Sequence, residues 1–173
     1  PVPGGQRTMS ENAIDTNTMS IIVTKGSLDW AYPPFILGTT AAAMGLDVTM
    51  FFTFYGLSLL KKDLNLKVTP LGNAAMEMPM AGGHMVMPNI VGMLPGVDAM
   101  ASKMMKNLIK KNGVASVDEL RDLAVEADVR MIACQMTLEL FDYKREDLID
   151  DIEIGGAATY IEVATQSHIN LFI

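Results

Sequence analysis

One cysteine in 173 residues removes several chemistries at once. A single thiol cannot form an internal disulfide, and no Cys/His set at zinc-ligand spacing accompanies it. Such usage fits a reducing, cytoplasmic setting. Charge is sparse too: 19% of residues are charged, and the net charge is −7. Phosphate-backbone binding needs a basic surface, so nucleic acid is not expected as a partner. Neither a G-x-G-x-x-G nor a Walker A sequence is present, which leaves dinucleotide and nucleoside-triphosphate binding without support. No apolar run reaches the ~20 residues of a membrane-spanning helix. Residues 31–46 contain Pro33 and Pro34, and residues 85–97 are broken by Pro88 and Pro95, so membrane association is not favoured. The N-terminus is polar and lacks the charged-then-apolar pattern of a secretory signal. No internal repeat is evident.

Apolar residues, by contrast, are plentiful at 50%. The length suits one domain with a sizeable core. An apolar excess without a membrane span predicts a homo-oligomer, because obligate interfaces are more hydrophobic than ordinary surface. Residues 1–17 are polar and aperiodic and are expected to form a disordered arm. The single domain is expected over 18–173, with a Met-rich insertion at about 70–96.

Within that domain, strands are predicted at 19–25 and 47–54, and a helix at 29–45 closed by Gly45. A short helix at 57–62 and a short strand at 64–68 follow. Residues 70–95, rich in Gly, Pro and Met, show no regular pattern. An amphipathic helix is predicted at 97–111, stopped by Asn112-Gly113. Ser116 and Glu119 form a capping-box signature for a helix reaching Ala127. Further along, a short helix is predicted at 145–150, a strand at 151–154, a helix at 157–166 and a strand at 168–173. Alternating strands and helices imply βαβ units and a parallel sheet covered on both faces.

The run Val129-Arg130-Met131-Ile132-Ala133-Cys134 has the length of a buried strand. The spacing then turns helical through Met136 and Leu140, so the only thiol stands at a strand-to-helix switch. Unpaired backbone N–H groups at such a switch favour a thiolate. A buried, inert cysteine is the other reading of the same position. In open α/β sheets, ligands bind where the strand-to-helix turns converge. Here those turns hold Lys25 and Gly26, then Phe54, Tyr55 and Gly56, then Cys134 and Gln135, and finally Gly155 and Gly156. These residues are the expected lining of a pocket beside Cys134.

Phe51-Phe52-Thr53-Phe54-Tyr55-Gly56-Leu57, Ile132-Ala133-Cys134-Gln135-Met136 and the close from Gly155-Gly156 to Ile173 together resemble the DsrE/DsrF/DsrH-like family, in its DsrE2-type branch. The resemblance implies a three-layer α/β/α fold around a mostly parallel sheet of five or six strands. It also implies a sulfurtransferase-like carrier, rather than a multiple-turnover enzyme, that holds sulfane sulfur on Cys134 as a persulfide or thiosulfonate. TusA-like and rhodanese-like carriers are the implied exchange partners. No cofactor and no metal are called for. The chain departs from some relatives in lacking a second cysteine, and from expectation in having no glycine within 140–143.

Two other functions stay open from the residues alone. Met76, Met78, Met80, His84, Met85 and Met87 offer thioethers and an imidazole of the kind that bind Cu(I). The same methionines are also suited to filling an oligomer interface. A structural assembly subunit with an inert thiol is the remaining alternative.

Overall fold

The computed structural model of the chain describes residues 15–69, 73, 77–80, 83–86 and 88–173. Five strands form one sheet, all neighbours parallel. In chain order they are β1 (Asp15–Val23), β2 (Asp47–Phe52), β5 (Arg130–Cys134), β6 (Glu153–Gly155) and β7 (Ser167–Phe172), arranged β6-β5-β2-β1-β7 across the sheet. A separate antiparallel hairpin pairs β3 (Glu77–Met80) with β4 (Gly83–Val86). The helices are α1 (Leu28–Ala43), α2 (Asn89–Gly92), α3 (Val97–Lys111), α4 (Val117–Glu126), α5 (Gln135–Leu140) and α6 (Ala157–Gln166). Among the described residues, two 3-10 helices, Phe54–Leu60 and Arg145–Asp147, complete the set.

Side-chain alternation divides the sheet into two faces. Met19, Ile21 and Val23 of β1 register with Val48, Met50 and Phe52 of β2. Met131 and Ala133 of β5 extend that row, and all of them join one core with Leu28, Ala31 and Phe35 of α1 and Leu120 and Ala124 of α4. The opposite face holds a smaller cluster of Phe51, Ile132, Cys134 and Tyr160. The last of these comes from α6. Helices on both faces of a parallel sheet make a three-layer α/β/α sandwich.

Local sequence explains the boundaries. Gly45 takes φ +86 just beyond α1, where a left-handed residue closes a helix. The capping box at α4 is fully formed, with Glu119 N donating to Ser116 Oγ and Ser116 N donating to Glu119 Oε2. Helix α5 ends without the glycine expected near 140–143, because Asp142 adopts φ +51, a conformation that Asp tolerates better than most residues.

Some expectations need correction. Strand β1 begins at Asp15, so the final residues of the expected arm are paired sheet; residues 1–14 lie outside the described residues. The predicted strand at 64–68 is not a strand. Leu66 and Val68 are buried, but the backbone of this segment bonds to two helices instead. Leu28 N donates to Lys67 O, and Val68 N donates to Ser102 Oγ. The segment at 70–95, expected to be irregular, contains the β3–β4 hairpin and α2. The helix predicted at 145–150 is limited to a single 3-10 turn. No helix among the described residues is long and apolar enough to cross a membrane.

Candidate functional site around Cys134

Strand β5 ends at Cys134, which is also the N-cap residue of α5, with φ −68 and ψ 115. It is paired across the sheet with Gly155 of β6. Alternation along β5 turns its side chain to the α6 face, into the cluster with Phe51, Ile132 and Tyr160. The Phe51 and Tyr160 rings lie 5.2 Å apart. Only 4% of Cys134 is exposed. Glycine at 155 keeps this packing possible, because a Cβ there would stand 2.9 Å from Ile132 Cγ2.

Two threonines complete the polar side of the thiol. Thr137 sits one turn into α5 and is fully buried. Its Oγ1 lies 3.2 Å from Thr53 Oγ1, at the end of β2, and accepts the Phe54 N–H at 3.1 Å. Phe54 reaches that position with φ +47. A bulky residue in the left-handed region costs about 1–2 kcal/mol, and strain of this kind persists only where the surroundings enforce it.

Burial pushes the Cys134 thiol up, but the donors around it prevail and hold it below its ordinary value. In decreasing order they are the Thr137 hydroxyl, the Thr137 N–H, the Thr53 hydroxyl and the Met136 N–H. The sulfur accepts no helix-cap hydrogen bond.

The expected pocket residues fall into two groups. Lys25, Gly26 and Tyr55 line a cavity of about 910 Å³ with Trp30, Lys67 and Tyr143, and Cys134 does not line it. Gly26 and Gly56 hold that region together through backbone contact. A Cβ on Gly26 would meet Tyr55 O at 2.3 Å, and one on Gly56 would meet Val23 O at 2.2 Å. Phe54, Gln135, Gly155 and Gly156 belong with the thiol instead. Phe54 acts through its N–H, and Gly155 through its pairing. Gly156 is the N-cap residue of α6, while Gln135 is exposed and donates to Glu139 Oε1. Of two further basic residues past the motif, Lys144 faces Glu146 and Arg145 donates to the carbonyls of Leu148, Ile149 and Asp150.

Sequence reasoning missed Thr53 and Thr137. The signal available was weak: Thr137 stands at a helix-capping distance from Cys134, and Thr53 follows a strand that had to be placed next to β5. An exposed aromatic group stands at the cavity that Lys25 and Tyr55 line. Tyr55 is 70% exposed and stacks on Phe141, Phe141 meets Tyr143, and the Lys61 ammonium lies 3.9 Å above the Tyr143 ring. Of the copper(I) alternative, Met76 and Met87 lie outside the described residues, and Met78, Met80, His84 and Met85 are placed by backbone pairing in the β3–β4 hairpin.

Comparison with known proteins places this geometry in a family. The family model of the DsrE/DsrF/DrsH-like family matches residues 15–172. The sulfur carrier protein DsrE2 of Allochromatium vinosum is 55% identical over 160 residues, covering 92% of this chain and 100% of that protein. The uncharacterized protein YrkE of Bacillus subtilis is 32% identical over 166 residues, covering 91% of this chain and 98% of its own. Among solved structures, the ychN protein from E. coli aligns with a TM-score of 0.53 at 10% identity, over 91% of this chain and 100% of that one; this likeness concerns the fold. The chain belongs to the DsrE/DsrF/DrsH-like family.

Proposed function

We propose that this chain is a cytoplasmic sulfur carrier that holds sulfane sulfur on Cys134 and passes it to a partner thiol. The observation that carries this reading is a single, well-shielded thiol at the strand-to-helix switch, held below its ordinary value by the hydroxyl and N–H groups of Thr137, Thr53 and Met136. The name of the 55% identical relative, a sulfur carrier protein, supports the same role. Chemically, the Cys134 thiolate attacks the sulfane sulfur of a donor R–S–S⁻. An S–S bond forms at Cys134, the donor's S–S bond breaks, and R–S⁻ leaves. The reverse sequence with an acceptor thiolate unloads the carrier.

Neither direction requires a general base beyond a thiol already biased towards its anion. TusA-like and rhodanese-like carriers are the proposed partners. A homo-oligomer is part of the proposal. The outward side of α1 carries Trp30, Ile36, Leu37 and Met44, all exposed, and the sole charged residue of this 16-residue helix is Asp29. A helix apolar all round is normally a covered one.

The test is intact-mass measurement after treatment with polysulfide, thiosulfate or tetrathionate. Wild type is expected to gain about 32 Da per added sulfur atom, or the thiosulfonate mass, with reversal by reductant. Cys134→Ser is expected to gain nothing. No adduct from any donor, with Cys134 also resistant to alkylation in the folded state, returns the thiol to a structural role.

A further inference from the structure

Cys134 is 4% exposed, and a partner thiolate that exchanges sulfur must reach the sulfur atom. Its cover therefore has to move. The sheet supplies only neighbours in its own plane: Phe51 and Ile132 stand on the same face as Cys134, and Gly155 pairs beside it. What lies over that face is α6, through Tyr160 and the partly buried Ala164. Yet α6 is shallowly docked. Of its 10 residues Tyr160 alone is buried, whereas α1 buries Leu28, Ala31, Pro34, Phe35, Gly38 and Ala41, and α4 buries four.

A directional chain of hydrogen bonds fixes that one side chain. Ser20, fully buried on β1, donates to Asn170 Oδ1 of β7. Serine has a single hydroxyl proton, so in the 3.0 Å contact between Ser20 Oγ and Tyr160 OH the tyrosine is the donor. Asn170 Nδ2 in turn donates to Ser167 O at the end of α6, and Ser167 Oγ donates to Val163 O. Beyond this chain, the Tyr160 ring packs on Phe51, with centroids 5.2 Å apart. Both strands that flank α6 are paired into the sheet, so the helix can lift between two fixed ends. Elements with few buried apolar contacts open at a fraction of the cost of global unfolding.

We propose that α6 is a lid over Cys134 and that the Tyr160 hydroxyl, bonded to Ser20, is its latch. Lifted, α6 admits a partner's thiol to the sulfur; closed, it shields the sulfur from oxidants and unrelated thiols. The polar chain Tyr160–Ser20–Asn170 then has a role that packing alone does not explain, because it ties the single buried side chain of the lid to two strands of the sheet. The inference deepens the sulfur-carrier reading by naming what regulates access to its thiol, and it rests on that reading for its biological meaning alone.

The experiment follows Cys134 alkylation by iodoacetamide against pH, beside hydrogen exchange of the α6 amides read by mass spectrometry. Neither needs a sulfur donor. The plateau of the alkylation profile reads access to the sulfur, and its midpoint reads ionisation. Tyr160→Phe keeps the ring and removes the latch. It is expected to raise the plateau about fivefold, the worth of one ordinary hydrogen bond. Exchange in α6 is expected to quicken by a similar factor while the α1 amides keep the wild-type rate. Ser20→Ala, which removes the acceptor, is expected to match it, and Thr165→Val, on the exposed side of α6, to change neither reading. An unmoved plateau in folded Tyr160→Phe overturns the inference. So does a raised plateau without faster α6 exchange, or with α1 quickened equally, since general loosening would then admit the reagent. Should Tyr160→Phe not fold, Ser20→Ala decides by the same criteria. Sulfur loading of wild type is scored separately by mass, so a failed carrier reading and a failed lid give different results.

Discussion

Arg121→Met is the perturbation whose cost the structure defines best. Arg121 lies on α4 with 5% of its surface exposed. Its Nη1 donates to Leu59 O at 3.1 Å and to Lys61 O at 2.6 Å. Those carbonyls belong to the end of the 3-10 helix Phe54–Leu60, where backbone acceptors lack partners within the helix. The guanidinium therefore closes the segment that also carries Phe54 and Tyr55. Methionine fills much of the same volume but supplies no donor, so both carbonyls lose their charged partner.

Two bonds to a charged donor, each worth about 1.5–3 kcal/mol, set the gross loss. Against it stands relief from burying a guanidinium whose Nε has no partner. The net expectation is about 3 kcal/mol, in line with removing one member of a buried charged set. For a domain of this size that lowers Tm by about 6–12 °C. Urea denaturation and thermal melting followed by circular dichroism measure both quantities. Asp118, 3.6 Å from Arg121 Nη2 and largely exposed, makes the control. Asp118→Ala is expected to cost under about 1 kcal/mol, as exposed ion pairs do. A loss below about 1 kcal/mol for Arg121→Met, or an equal loss for Asp118→Ala, refutes the reasoning, since the carbonyl bonds would then not be what the arginine contributes.

Two other outcomes follow from close packing and from the bare side of α1. Gly56→Ala is expected to abolish folding or cost more than about 3 kcal/mol. Its Cβ meets Val23 O at 2.2 Å and Val23 C at 2.7 Å, backbone atoms of a central strand, and soluble yield with urea denaturation measures the loss. Leu37→Glu combined with Met44→Glu places charge on the bare side of α1. Light scattering is expected to show a larger species for wild type and a monomer for the double variant. A monomeric wild type at micromolar concentration removes the oligomer from the proposal.

The position of Cys134 was legible in the sequence because a change of hydrophobic period falls on it, and period is a local property. The ends of α1 and α4 were legible for the same reason, through Gly45 and the Ser116–Glu119 box. The strand expected at 64–68 did not form: Leu66 and Val68 face inward, but the partners of this segment are the start of α1 and the Ser102 hydroxyl, far away in sequence. The β3 strand was hidden by Pro79, a residue that argues against a strand yet sits in this two-stranded hairpin. Thr53 and Thr137 stayed invisible because their meeting depends on the register of β2 with β5 and on the φ of Phe54. Likewise, the expected single pocket divides because Cys134 points to the α6 face, while Lys25 and Tyr55 line a cavity it does not reach.

The place of β7 in the sheet has a consequence for how the chain acquires its structure. Strand β1 lies between β2 and β7, and the Ser20–Asn170 contact joining it to β7 spans 150 residues. Closing a loop of that length costs about 4 kcal/mol of chain entropy beyond a constant. The β1-α1-β2 unit forms from neighbouring residues and has no such delay. During vectorial synthesis, therefore, one edge of β1 stays open from the emergence of its own residues until β7 leaves the ribosome. An open edge of alternating apolar residues is a template for unwanted pairing, and the nascent chain is most exposed to it in that interval.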